Sequence, residues 1–198
     1  SELSAVSKLA LESALTEPSA YTEIKTILEK PVIRQSAADG WNDAAYTLTT
    51  EQSGALVLLD KDEATAVTLP YITANDIGTT FTFQVTLNSD EDRYVTTPHA
   101  KDFLIGAVQM LPSAVWGATT AQDGLAVSCA ANSGVDRAIT FDNDLANGGG
   151  SLGSTVTLTA VLAGNVAGAT GTNTAVWSIS GYLTTADPNS DGTAVFTA

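Results

Sequence analysis

The sequence predicts a mainly β protein: an antiparallel β-sandwich or barrel of jelly-roll-like design, preceded by a short N-terminal helical arm. Of the 28 Thr residues only three come before Thr47, and residues 1–40 are rich in Ala, Glu, Lys and Leu. From Ala45 onward, short alternating runs of Thr and Val are separated by Gly, Asn and Asp, which is typical of strands and turns. A mean hydropathy of +0.12 with 15% charged residues argues against disorder. We therefore expect an arm over residues 1–40 and a β body over residues 41–198.

The arm is predicted to contain two short helices, each ended by a proline. Apolar residues recur at helical spacing from Glu2 to Thr16 and again up to Lys30, with Pro18 in the first turn of the second helix and Pro31 after its end. Such short helices are marginal without a partner, so their apolar faces predict an interaction element. The predicted interface residues are those of the two faces together with a Trp at the junction with the body: Leu3, Val6, Leu9, Tyr21, Ile24, Ile27, Leu28 and Trp41.

Eleven strands are predicted in the body, separated by recognisable turns. Asp60-Lys61-Asp62 and Asn132-Ser133-Gly134 are turn sequences, and Asp187–Gly192 is expected to close a final hairpin. Gly148–Gly153 and Gly164–Gly171 are expected to be mobile loops. Many short strands at this spacing indicate an antiparallel sandwich or barrel. The strands are predicted near Ala45–Thr50, Gly54–Asp60, Ala64–Pro70, Thr79–Leu87, Arg93–Thr97, Phe103–Gln109, Leu125–Ala130, Asp136–Asp142, Ser154–Ala163, Thr174–Leu183 and Thr193–Thr197.

Composition excludes several classes of function. Eight unclustered Lys and Arg residues and a net charge of -14 cannot supply the cationic surface that non-specific nucleic-acid binding needs. The longest uninterrupted apolar run, Ala55–Leu59, is far shorter than the roughly 18 residues of a membrane span, and no export signal is visible at the start. With a single Cys, the chain has no internal disulfide. We expect neither a nucleic-acid nor a membrane partner.

Candidate catalytic residues are few. His99 is the only His, and Asp102 could orient it as a base, but no nucleophile motif such as G-x-S-x-G accompanies them. Cys129 lies in an alternating run, where it is expected to behave as a small buried hydrophobe. We therefore predict no catalytic residues and no enzymatic activity.

Oxygen-rich turns and aromatic residues offer alternative binding sites. Asp187–Gly192 matches the first half of a calcium loop, but Ala198 stands where the bidentate Glu should be, so a polar turn is favoured and no metal or cofactor is predicted. Asn88–Asp92 and Asp142–Asp144 are similar turns. Exposed aromatics could mark glycan binding: Trp116 is the best candidate, whereas Trp177 is expected to point inward.

Two stretches resemble small β-rich virion proteins of tailed bacteriophages, in particular head decoration (cement) proteins and related fibre bases. The first consists of Ser53–Asp60, Ala66–Pro70 and Gly78–Val85, similar to a recurrent "apolar strand, turn, V-T-L-P, G-x-x-F-x-F-x-V" segment. The second, Gly148–Leu158 with Val176–Leu183, is similar to the closing strands of those proteins, "G-G…G-S-x-V-x-L…W-x-V-x-G-x-L". The spans that contain these segments, Ser53–Val85 and Gly148–Leu183, together make up about a third of the chain.

The resemblance implies a viral structural protein that is made in the host cytoplasm and binds the outer surface of the head. Its partners would be the major capsid protein or other virion subunits, and it would form a homo-oligomer, a trimer. The acidic charge agrees with an address away from packaged DNA. Two alternatives remain open from sequence: a fibre or receptor- and glycan-binding module of the virion, and a secreted surface-layer or adhesin domain.

Overall fold

The alternating runs form β-strands, as predicted. The computed structural model describes residues 31–36, 41, 45–112, 127–131, 136–142, 149–164, 174–185 and 195–198. Two short 3₁₀ helices, Thr50–Gln52 and Ala74–Asp76, lie between strands, and the predicted arm helices lie outside the described residues. The strands are β1 Val32–Arg34, β2 Ala45–Thr47, β3 Leu56–Leu59, β4 Thr65–Thr68, β5 Thr80–Val85, β6 Arg93–Thr96, β7 Phe103–Pro112, β8 Val127–Ala130, β9 Ala138–Phe141, β10 Thr155–Leu162, β11 Val176–Thr185 and β12 Phe196–Thr197.

The described strands form two mixed sheets. The larger has seven strands in the order β1-β3-β5-β10-β11-β7-β8, and the smaller has five in the order β12-β9-β6-β4-β2. From β1 to β7, each strand along the chain lies in the other sheet from its predecessor. The chain therefore coils between the sheets, and strands two apart in sequence run parallel: β1, β3 and β5 in the larger sheet, and β2, β4 and β6 in the smaller.

This coiling corrects the prediction of an antiparallel body. Of the ten pairings between described strands, five are antiparallel and five are parallel. The predicted final hairpin is also wrong, because β12 pairs with β9 of the smaller sheet and not with β11. Turn residues in a sequence indicate where the chain changes direction. The same residue types occur in hairpins within one sheet and in connections to the other sheet, so they do not predict which strands pair. The mainly β prediction itself is confirmed.

Both sheets contribute to one buried cluster. Burial alternates along β5 and β10, so Phe81, Phe83 and Leu158 lie inside while their neighbours are half-buried. Trp177 is fully buried, as its alternation with Ile179 predicts, and its ring lies 6.3 Å from that of Phe81. Residues 32–198 thus make one compact unit. Among the described residues, no helix has the length and apolar character needed to cross a bilayer.

Four Thr residues form two cross-strand pairs on the outer face of the larger sheet. Thr80 lies opposite Thr159 and Thr82 opposite Thr157 in the β5–β10 register. Their hydroxyl groups are hydrogen-bonded across the strands at 3.1 and 3.2 Å. Cross-strand Thr pairs of this kind stabilise a sheet while keeping its outer face polar.

Candidate functional site

The predicted interface residues fall into two groups. Leu3, Val6, Leu9, Tyr21, Ile24, Ile27 and Leu28 all lie outside the described residues. Trp41 is described, and it packs inside the chain's own body with 3% of its surface exposed. Its ring stacks on Tyr46 at a centroid distance of 4.9 Å, and its Nε1–H donates to Thr65 Oγ1 at 3.2 Å. Within the described part of the chain, Trp41 is therefore a core residue.

The candidate catalytic residues do not form a triad in the part of the chain that is described. Asp102 is buried, and its Oδ1 accepts from the Ala175 N–H at 2.8 Å. His99 Nδ1 accepts from the Lys101 N–H at 3.2 Å, so this nitrogen is not a donor to a carboxylate. Cys129 lies on β8, opposite Val108 of β7. The geometry gives Asp102 a structural task, which is to hold the start of β11 against the start of β7.

Of the oxygen-rich turns, Asn88–Asp92 lies wholly within the described residues. Asp187–Gly192 lies outside the described residues, and so do residues 143–144. In Asn88–Asp92, Ser89 Oγ accepts from the Glu91 N–H at 3.0 Å, and Asp92 accepts from the Tyr94 hydroxyl. That bond is the main reason why the pKa of Tyr94 is raised to about 12. Among the described residues, no group of three His, Cys, Asp or Glu side chains could hold a metal ion.

The described acidic residues are concentrated at one end of the larger sheet, which we call the acidic end. There β3 and β5 finish and β10 begins, so turns 60–63 and 87–92 lie near residues 149–154. This end holds seven of the eleven described acidic residues but only three basic ones: Asp60, Asp62, Glu63, Asp90, Glu91, Asp92 and Asp142 against Arg34, Lys61 and Arg93.

A tight turn at the acidic end presents Leu152 to solvent. The turn is closed by the Ser154 N–H, which donates to Ser151 O at 3.1 Å. Gly153 has a φ of +97°, which costs little only because glycine has no Cβ. The Leu152 N–H donates to Asn88 Oδ1 at 2.6 Å, so the turn is bonded to the segment that follows β5. The Leu152 side chain is nevertheless 59% exposed.

Thr184 of β11 holds the same turn from the other side. Its single Oγ1–H is within hydrogen-bond distance of two carbonyl oxygens, Ser151 O at 2.9 Å and Leu152 O at 3.1 Å, and its N–H donates to Ser154 Oγ at 2.9 Å. Its carbonyl accepts the N–H groups of Gly150 and Ser151, both at 3.0 Å. The turn is therefore bonded both to β11 and to the segment after β5, which gives Leu152 a well-defined backbone position.

Further exposed apolar side chains lie around this turn. Leu87 follows β5 directly before Asn88, whose side chain accepts from Leu152. Leu111 of β7 lies opposite Thr184 in the strand register. Tyr182 lies opposite Thr155, the first residue of β10. We call these four residues the end patch; their exposed fractions are 42% for Leu87, 39% for Leu111, 59% for Leu152 and 42% for Tyr182.

The buried side chain of Arg93 is hydrogen-bonded to the backbone segments that carry Leu87 and Leu152. Arg93 is fully buried; its guanidinium donates to Leu87 O at 3.0 Å, to Gly150 O at 3.3 Å and to Leu59 O at 3.5 Å. Burial lowers its pKa, while the nearby carboxylates of Asp62 and Asp142 act in the opposite direction. One cation thus joins the ends of β3 and β5 to the glycine segment that carries Leu152.

The expectation of a mobile loop over Gly148–Gly153 is corrected for its described part, residues 149–153, which are packed and hydrogen-bonded. Gly149 and Gly150 are buried, and the Gly149 carbonyl accepts from the Asp142 N–H at 3.1 Å. Gly150 has a φ of +151°, and a Cβ there would lie 2.6 Å from the Asp142 backbone nitrogen. Glycine is needed at Gly150 because the segment packs directly on another backbone.

The opposite end of the larger sheet also exposes apolar residues, with a different setting. Ile77, Val161 and Leu162 are 51%, 44% and 50% exposed. The Gly78 N–H donates to Ala160 O at 2.9 Å, which places Ile77 beside the end of β10. The charged residues described at this end are fewer and more balanced: Glu51, Asp76, Asp102 and Asp136 against Lys101 and Arg137.

Sequence reasoning did not identify Arg93 or Leu152 as site residues, although signals for both exist. Arg93 is in phase with Val95 on an alternating strand, so it shares the core-facing side of β6. Leu152 is the single large apolar residue in a Gly- and Ser-rich segment, followed by a glycine that a tight turn requires.

No family model, no curated protein and no solved structure matches the chain. A function is therefore inferred from the geometry of the described residues and from the sequence patterns.

Proposed function

We propose that this chain is a structural protein of a virus particle, a decoration protein that binds the outer shell of a tailed-bacteriophage head and stabilises it. The resemblance of its β segments to such proteins supports the location. The observation that carries the binding role is the Leu152 turn, because an exposed apolar side chain on a backbone bonded to β11 and to the segment after β5 suits contact with another protein. A decoration role requires no catalytic step and no cofactor.

The proposed architecture is a β-sandwich whose copies act together. Side chains of both sheets contribute to one buried cluster, which supports face-to-face packing of the sheets. Residues 1–40 would serve as an interaction arm, and a homotrimer would allow each oligomer to contact several shell subunits at once. Separating the shell then requires several contacts to break together, which multiplies the effect of each.

Sedimentation with empty shells tests the proposal. Purified chain is mixed with empty shells of the virus that encodes it, and the mixture is sedimented. The mass of the free chain is measured separately by analytical ultracentrifugation. We expect the chain to sediment with the shells at a fixed ratio to the major capsid protein and to raise the temperature at which the shells open. Chain that stays in the supernatant at all ratios would contradict the proposal.

A fibre or glycan-binding module is the second candidate, favoured by Tyr182. Tyr182 is 42% exposed, and Gln109 lies opposite it in the register of β11 and β7. An aromatic face next to an amide is a common arrangement for binding sugars. Binding of the chain to cell-surface glycans of the host, lost in Tyr182→Ala but not in Tyr71→Ala, would favour this function over decoration.

A further inference from the structure

The end patch has the features of a preorganised contact surface. Leu87 and Leu152 lie on neighbouring segments that are joined by the Asn88–Leu152 hydrogen bond of 2.6 Å. The buried guanidinium of Arg93 links both segments, because it donates hydrogen bonds to the carbonyls of Leu87 and Gly150. A surface whose backbone is already fixed loses little conformational freedom on binding, so more of the contact energy appears as affinity.

The margin of the end patch is acidic. Asp90 and Glu91 are exposed and follow Leu87 within the same turn, and Asp62 is exposed on the turn after β3. The basic residues at this end do not neutralise Asp90 and Glu91, since Arg93 is fully buried, Arg34 is paired with Asp60 at 2.7 Å and Lys61 with Glu63 at 3.6 Å. The patch therefore combines an apolar centre with a negatively charged rim.

This charge distribution discriminates between possible occupants. A second copy of the same patch would bring two acidic rims together, at a cost that adds to the net charge of -14 on each chain. A partner with Lys or Arg side chains around an apolar centre would instead be attracted to the rim and would bury the leucines. Complementary charge favours that partner.

We propose that the acidic end, through the end patch, binds a protein surface that is apolar at its centre and basic at its margin. This inference rests on the proposed function. It specifies that the acidic end faces the shell and that the shell surface there is apolar with basic side chains at its margin. Rim charges of this kind act mainly on the association rate and its salt dependence, whereas an apolar side chain that becomes buried on binding, here Leu152, acts on the dissociation rate.

The test uses two probes and matched variants. The first probe is empty shells, and the second is a synthetic 18-residue helical peptide with one leucine face flanked by lysines, compared with the same peptide carrying glutamates. The apolar variant is Leu87→Ser with Leu152→Ser, and its control at the opposite end is Val161→Ser with Leu162→Ser. The rim variant is Asp90→Asn with Glu91→Gln, and its control is Glu51→Gln. Thermal unfolding of each variant verifies that it is folded, and Leu152→Ser alone is the milder replacement.

The wild type is expected to bind the lysine peptide and not the glutamate peptide. The apolar variant should bind both shells and lysine peptide about tenfold more weakly or worse, the loss typical of a central anchor. The rim variant should show a smaller loss and a flatter dependence on salt. The controls at the opposite end should bind like the wild type.

The outcomes separate the two proposals. If the chain binds shells and the apolar variant binds them as tightly as the wild type, the inference is wrong while the decoration role stands. Equal binding of the glutamate peptide would also overturn it, because the rim would then have no selectivity. If the wild type does not bind shells but binds the lysine peptide through Leu152, the binding role of the end patch is supported and the decoration role is rejected.

Discussion

The two ends of the larger sheet expose similar apolar side chains but support them differently. Leu152 at the acidic end and Leu162 at the opposite end are 59% and 50% exposed. The turn that carries Leu152 is bonded to the segment after β5 and to β11. Leu162 instead ends β10 beyond a register shift that begins at Ala160. Similar exposure therefore does not make the two ends alike: the Leu152 turn is bonded to two other segments and lies at the end with more acidic residues.

The largest expected difference between the two ends is the loss of stability when a glycine is replaced by alanine. In Gly150→Ala, the new Cβ would lie 2.6 Å from the Asp142 nitrogen and 2.7 Å from the Phe141 carbonyl carbon. Backbone strain and overlap together should lower the free energy of unfolding by about 3 kcal/mol or more. In Gly78→Ala at the opposite end, no atom lies within 4 Å of the new Cβ, and strain alone should cost about 1 kcal/mol. Urea unfolding of both variants measures this; equal losses would show that Gly150 is not tightly packed.

Replacing Arg93 should lower the free energy of unfolding more than replacing an exposed Lys or Arg. Replacing Arg93 by Met leaves the Leu87 and Gly150 carbonyls without their donor, which should cost about 2–3 kcal/mol. Lys101→Met, at an exposed position of the opposite end, should change stability by less than about 0.5 kcal/mol. Chemical unfolding compares the two, and Arg93→Met should also speed amide exchange in residues 149–154. Unchanged exchange there would contradict the role of Arg93 as a support.

A smaller effect is expected at Asn88. Asn88→Ala removes the acceptor of the Leu152 N–H and should cost about 1 kcal/mol. The matched control is Asn75→Ala at the opposite end, where the contact with Thr73 is made by the Asn75 backbone and survives the change. Hydrogen exchange of the Leu152 amide is the direct readout, and it should accelerate only in Asn88→Ala.

The smallest effects concern pH, and they have opposite directions at the two ends. The raised pKa of Tyr94, about 12, means that its stabilisation is complete below pH 10 and is lost as pH rises through about 12. At the opposite end, hydrogen bonds from Thr73 lower the pKa of Asp76 below 3.8, so its stabilisation is present above about pH 3.8 and is lost as pH falls through the lower value. Thermal midpoints across pH should show a flatter alkaline limb in Tyr94→Phe and a flatter acid limb in Asp76→Asn. Limbs that match the wild type in both variants would contradict these assignments.

Much of the body was predictable because its alternation is strong. Each predicted strand from Ala45 to Thr197 has a strand in the structure, with bounds that differ by a few residues. β1 was missed, since Val32–Arg34 is too short to show alternation and lies among residues assigned to the arm. Pairing was not predictable either, because it depends on whether a turn closes a hairpin or crosses to the other sheet.

The site was less predictable than the fold for a physical reason. The expected contacts were apolar stripes of the arm, which a helical period reveals from sequence alone. The end patch instead gathers Leu87, Leu111, Leu152 and Tyr182 from distant parts of the chain, and only the strand register brings them together. The rigidity of the Leu152 turn depends in addition on Asn88 and Thr184, which are remote in sequence.

Hydrogen exchange of the chain bound to empty shells tests the central claim most directly. If the acidic end faces the shell, amides of residues 87–92 and 150–154 should exchange more slowly in the bound chain than in the free chain. Amides of residues 71–79 and 160–164, at the opposite end, should be unchanged. Protection confined to the opposite end, with residues 150–154 exchanging as in the free chain, would contradict the account.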